Sequence, residues 1–101
     1  MGRWVALGAE TELRRSKAYE VEGRRIAVFR SKEGLSALDD VCSHEYSLLS
    51  EGEVWDGQVY CPKHGSAFDL GTGAALGLPA TDPVRRWNLK VEGGTLWVEM
   101  P

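Results

Sequence analysis

Residues Trp87–Glu99 read Trp-Asn-Leu-Lys-Val-Glu-Gly-Gly-Thr-Leu-Trp-Val-Glu. Trp87, Leu89 and Val91 alternate with Asn88, Lys90 and Glu92; beyond Gly93-Gly94, Leu96 and Val98 alternate with Trp97 and Glu99. A period of two marks strands with two unlike faces, because successive side chains point to opposite sides. Two glycines between such runs supply the positive φ that a tight hairpin turn requires. The stretch is therefore read as a β-hairpin.

Working outward, the same grammar recurs. Trp4–Leu7, Ala18–Glu22, Arg25–Arg30, Leu35–Leu38, Gln58–Tyr60 and Ser66–Leu70 are short β-like runs, and Glu22-Gly23, Glu33-Gly34 and Asp56-Gly57 punctuate them. Many short strands with frequent turns predict an all-β protein, an antiparallel sandwich or partly open barrel. Glu10–Arg15 is the one place for a turn of helix, with Thr11 as its cap. Trp4, Trp55, Trp87 and Trp97 are expected in the core or on sheet faces.

The chain has 101 residues, the size of one domain, and 43% hydrophobic residues, enough for a folded core. Twelve basic against fifteen acidic residues leave a net charge of −3, which argues against a nucleic-acid-binding face. The pairs Arg14-Arg15, Arg24-Arg25 and Arg85-Arg86 read as solvated turns and strand edges, or as a docking patch for an acidic partner. No apolar run approaches the roughly 20 residues that span a bilayer, and the N-terminus lacks the basic-then-apolar pattern of a signal peptide. Met1-Gly2 lacks the Ser or Thr of a myristoylation signal, since Ala6 stands there. The expectation is a soluble cytoplasmic protein that binds neither membrane nor nucleic acid.

Both cysteines and both histidines of the chain fall in two short segments, Cys42-Ser43-His44 and Cys61-Pro62-Lys63-His64. Singly, each would be a small buried apolar group or a hydrogen-bonded imidazole. Together, as C-x-H and C-x-x-H, they form a ligand set. A Cys42–Cys61 disulfide is the non-metal alternative, disfavoured in a reducing compartment. Zinc accepts two Cys and two His tetrahedrally. Zinc sites tend to draw cysteines from one segment and histidines from the other, however, whereas here each segment supplies one of each. That mixed supply favours a two-iron cluster, with two cysteines on one iron and two histidines on the other. No histidine or thiol is left over for general-base or nucleophilic catalysis.

The flanking residues carry a family resemblance. Cys42-Ser43-His44 with Leu49 and Gly52, and Cys61-Pro62-Lys63-His64-Gly65-Ser66-Ala67-Phe68-Asp69, resemble the two cluster loops of Rieske-type [2Fe–2S] ferredoxins of bacterial ring-hydroxylating dioxygenase systems. Gly71-Thr72-Gly73 and Leu78-Pro79-Ala80 are similar to that family's turn and proline loop. The resemblance runs from about Trp4 to Val98. It implies one Rieske domain over 1–101, with a cluster-binding subdomain at about 40–82 on an antiparallel β base. It also implies a [2Fe–2S] cofactor on Cys42, His44, Cys61 and His64, with Ser66, Phe68 and Pro79 around it. High-potential Rieske proteins bridge their loops with two further cysteines; here Ser47 and Lys63 occupy those places, and Phe68 replaces a tyrosine whose hydroxyl reaches the cluster. With Ser66 as the one matching hydroxyl donor, the expected potential lies in the low half of a range of roughly −150 to +300 mV.

The function so implied is a monomeric one-electron carrier rather than an enzyme, taking electrons from a flavin-containing, NAD(P)H-dependent reductase and passing them to a terminal oxygenase. Tyr46, Leu48, Leu78 and Pro79 are candidates for an apolar docking rim. The alternatives are the small Rieske-like subunit of a nitrite reductase, a housekeeping ferredoxin linked to iron–sulfur assembly, which Gly77-Leu78-Pro79-Ala80-Thr81 resembles, and a zinc-binding interaction module.

Overall fold

The computed structural model describes residues 2–32, 34–42, 47–62, 66–76 and 82–101. Its strands are β1 (Arg3–Ala9), β2 (Ser16–Val21), β3 (Arg24–Ser31), β4 (Gly34–Asp39), β5 (Glu53–Trp55), β6 (Gln58–Tyr60), β7 (Ala67–Asp69), β8 (Arg86–Trp87), β9 (Leu89–Glu92) and β10 (Thr95–Met100). Every pairing is antiparallel, in three sheets ordered β1-β10-β9, β2-β3-β4-β8 and β5-β6-β7. The sheets stay open, as the all-β reading expected of a sandwich-like base. Among the described residues, none forms an α-helix and no helix is long and apolar enough to cross a membrane.

The turns explain the pairing. Glu22 and Gly23, Asp56 and Gly57, and Gly93 and Gly94 all have φ between 51° and 80°, the double left-handed conformation whose twist matches that of the strands it joins.

β3 organises the layers because it is buried on both faces. Ile26 and Val28 enter one core with Leu96, Val98, Met100 and Trp87. Ala27 and Phe29 enter a second with Leu38, Leu49, Val59 and Phe68. The first core lies between the β1-β10-β9 and β2-β3-β4-β8 sheets; the second joins the latter sheet to β5-β6-β7.

Two expectations need correction. Trp87–Glu92 is not one strand: it breaks at Asn88, β8 pairing with β4 while β9 pairs with β10. The Asn88 carbonyl accepts from Glu99 N at 3.0 Å, so the chain changes sheets without an interruption in its alternation. The helical turn shrinks to a 3-10 turn at Glu10–Glu12 that starts from Ala9 with no side-chain cap, and Thr11 lies inside it; burial of Leu13 ends it. Trp55 takes the sheet-face alternative of its reading: it is the last residue of β5, at the corner of the β5–β6 hairpin, and is 72% exposed. Trp87 is buried as expected, and Trp4 and Trp97 lie 4.5 and 6.0 Å from the Lys90 ammonium on an outer sheet face.

Candidate metal centre

β4 ends at Asp39 and runs through Asp40 and Val41 into Cys42; β6 ends at Tyr60 and runs into Cys61. Each cysteine then opens a loop of the same build. The Cys42 amide donates to the Ser47 carbonyl at 2.8 Å, and the Cys61 amide donates to the Ser66 carbonyl at 2.6 Å, a cysteine-to-serine closure five residues on in both cases. Outside it, Val41 pairs with Leu48 and Tyr60 pairs with Ala67. A sequence reading that aligns the loops by their ligands alone, C-x-H against C-x-x-H, does not show this equal closure.

The two loops deliver their cysteines to one place. Cys42 and Cys61 are both buried and belong to the same core, among Leu49, Val59, Phe68 and Leu70. No disulfide joins them. Two soft sulfur donors at the heads of matched loops, inside one apolar core, fit the thiolate half of a two-iron cluster. Ser66 and Phe68 are fully buried at the start of, and within, β7. His44, His64 and Pro79 lie outside the described residues, as do Tyr46 and Leu78 of the expected rim. Val41 and Leu76, at the feet of the loops, are exposed.

Backbone contacts lock the loops to each other. After Ser47 the chain makes a 3-10 turn at Leu49–Glu51, with Leu49 buried in the cysteine core. Gly52 then approaches β6 so closely that a Cβ there would overlap the Tyr60 carbonyl oxygen. Beyond β7, Asp69 accepts from both the amide and the hydroxyl of Thr72 at 2.9 Å. Gly73, at φ +81°, donates to Asp69 O at 2.7 Å and accepts from Val84 N at 2.9 Å. The bond to Val84 ties this turn to the residues that lead into β8.

One site residue escaped the sequence reading. Asp40 is fully buried, and both carboxylate oxygens are used: Oδ2 accepts from Arg25 Nε at 2.5 Å and Oδ1 from Ser50 N at 2.7 Å. A signal was available. With Ser31 opposite Gly34 in the β3–β4 hairpin, the same register places Arg25 opposite Asp40.

A family model described as "Rieske [2Fe-2S] domain" matches residues 3–88. The anthranilate 1,2-dioxygenase ferredoxin subunit of Burkholderia cepacia is 40% identical over 99% of this chain and 94% of its own length. The ferredoxin of carbazole 1,9a-dioxygenase from Nocardioides aromaticivorans IC177 superposes with a TM-score of 0.88 at 29% identity, over 94% of this chain and 95% of that one. A structure described as a putative NADH-dependent nitrite reductase small subunit from Mycobacterium tuberculosis shares the fold alone, with a TM-score of 0.89 at 24% identity over 100% and 97% of the two chains. The buried cysteine pair, the matched loops and the open antiparallel sheets thus have a common explanation: the chain belongs to the Rieske [2Fe–2S] family, as a ferredoxin that carries a [2Fe–2S] cluster and moves electrons without catalysing a reaction of its own.

Proposed function

We propose that Cys42 and Cys61 hold one iron and His44 and His64 the other, and that the chain is a cytoplasmic, monomeric shuttle. It takes single electrons from a flavin-containing, nicotinamide-dependent reductase and delivers them to a terminal ring-hydroxylating oxygenase. The observation that carries the ligand assignment is the convergence of Cys42 and Cys61 in one core from loops of identical closure. The oxygenase is supported by the two dioxygenase ferredoxins to which the chain is similar.

When bound, the cluster supplies a one-electron couple. The protein's part is to hold it still and tune it. The cysteine-to-serine closures and the Gly52 and Gly73 contacts fix the loops, so that little structure rearranges when charge changes. On this reading Ser66 supplies a hydroxyl donor, and Phe68 offers none. Hydrogen bonds to cluster sulfurs favour the more negative, reduced state.

Iron, acid-labile sulfide and zinc assays, read beside the visible spectrum before and after dithionite, test the reading. Two irons and two sulfides per chain, with a colour that bleaches on reduction, are expected. Stoichiometric zinc without visible absorption, in protein from iron-replete cells, sinks it. Ser66→Ala is expected to lower the midpoint potential and Phe68→Tyr to raise it. Voltammetry that finds neither variant shifted removes the hydrogen-bond argument.

A further inference from the structure

We infer that Asp40, paired with Arg25, is the positioning residue of the Cys42 loop, and that its fixed negative charge sets how readily the bound cluster accepts an electron. The inference rests on Cys42 holding the cluster.

The positioning half follows from the contacts. Besides its two carboxylate bonds, Asp40 accepts from Leu49 N through its backbone carbonyl at 2.6 Å and donates from its amide to Arg25 O at 3.0 Å. It therefore grips the return of the loop at Leu49 and Ser50 while its amide and carboxylate hold β3. The second loop needs no such residue, because β6 and β7 continue its ladder from Tyr60–Ala67 to Gln58–Asp69. Among the described residues the first loop has the isolated Val41–Leu48 bridge alone, and Asp40 does there what a strand pair does in the other.

The electrostatic half follows from the choice of a charged group. A neutral amide at position 40 would still accept from Ser50 N, and burying a carboxylate is costly even when it is paired. Asp40 stands two residues before Cys42, at most about 7 Å along the backbone, where interior charges are screened far less than in water. The Arg25 side chain is 44% exposed while that of Asp40 is wholly buried. Water thus weakens the cation more than the anion, and on the Cys42 side the pair does not cancel. The residual field is negative and opposes reduction.

The test is the midpoint potential of the loaded protein, with its electron paramagnetic resonance spectrum as a second readout. Asp40→Asn keeps an acceptor for Ser50 N and removes the charge; it is expected to hold the cluster and shift the midpoint upward. Arg25→Lys, which preserves the charge, is expected to stay near the parent. If Asp40→Asn fails to hold a cluster, Arg25→Gln replaces it, with a lower midpoint expected because Asp40 then acts uncompensated. An Asp40→Asn protein with an intact cluster and an unmoved midpoint overturns the inference. So does an Arg25→Lys shift as large as that of Asp40→Asn, or an unmoved Arg25→Gln. A parent protein without iron and sulfide would instead remove the ligand assignment beneath it.

Discussion

Gly52→Ala is expected to strip the cluster from the protein and to lower its stability by about 3 kcal/mol, read as lost iron and a reduced urea midpoint. At a glycine with negative φ the ordinary expectation runs the other way. Gly52 has φ −85°, a conformation alanine adopts freely, and a compatible Gly→Ala change stabilises by roughly 0.4–1 kcal/mol through the unfolded chain. The sign is reversed by one contact, the overlap of the new methyl with the Tyr60 carbonyl oxygen. That oxygen is backbone and cannot swing aside as a side chain would. Relief requires β6 to move away from the Leu49–Glu51 turn.

Such movement acts directly on the ligands. Tyr60 is bonded to Cys61, and Leu49 closes the Cys42 loop through Asp40. Separating the two segments at Gly52 therefore separates the cysteines, which under the proposed ligation have to meet on one iron. A Gly52→Ala protein with full iron content and unchanged or higher stability would show that the loops are independent and that the close approach carries no function.

The parts of this molecule legible in its sequence are those whose cause is local. Gly93-Gly94 and Asp56-Gly57 require positive φ wherever the chain goes next, and the hairpins follow. The two ligand segments are short enough to be read as they stand. What was missed depends on contacts made at a distance. Three-residue β5 shows no periodicity of its own and exists because β6 pairs with it. The break at Asn88 leaves the apolar alternation intact, since Trp87 and Leu89 each turn inward toward the same core from different sheets. Asp40 looks like an ordinary strand-end acid until the β3–β4 register sets Arg25 across from it. Trp55 shows a choice that sequence leaves open: a large apolar residue suits a core or a sheet face, and at a hairpin corner no layer covers it.

Phe68→Ala is the core change with the largest expected effect, a loss of about 3–5 kcal/mol. Phe68 is fully buried, sits opposite Val59 on β6, bridges to Ala75, and packs in the core that holds both cysteines. Truncation removes the apolar area of the ring and leaves a cavity that two short strands and a glycine-stapled turn cannot collapse to fill. For a domain of this size, total stability is on the order of 5–15 kcal/mol, and each kcal/mol moves the melting temperature by roughly 4–8 °C. The variant should therefore melt roughly 12–40 °C lower, following that scaling. Phe68→Leu keeps most of the volume and should recover a large part of the loss. Thermal unfolding of the apo and cluster-loaded forms separates two effects of the ring. If Phe68 only fills the core, both forms fall by the same amount. If it also shapes the seat of Cys61, which lies in the same core, the loaded form falls further and loses iron faster to a chelator. A melting temperature within a few degrees of the parent would contradict both.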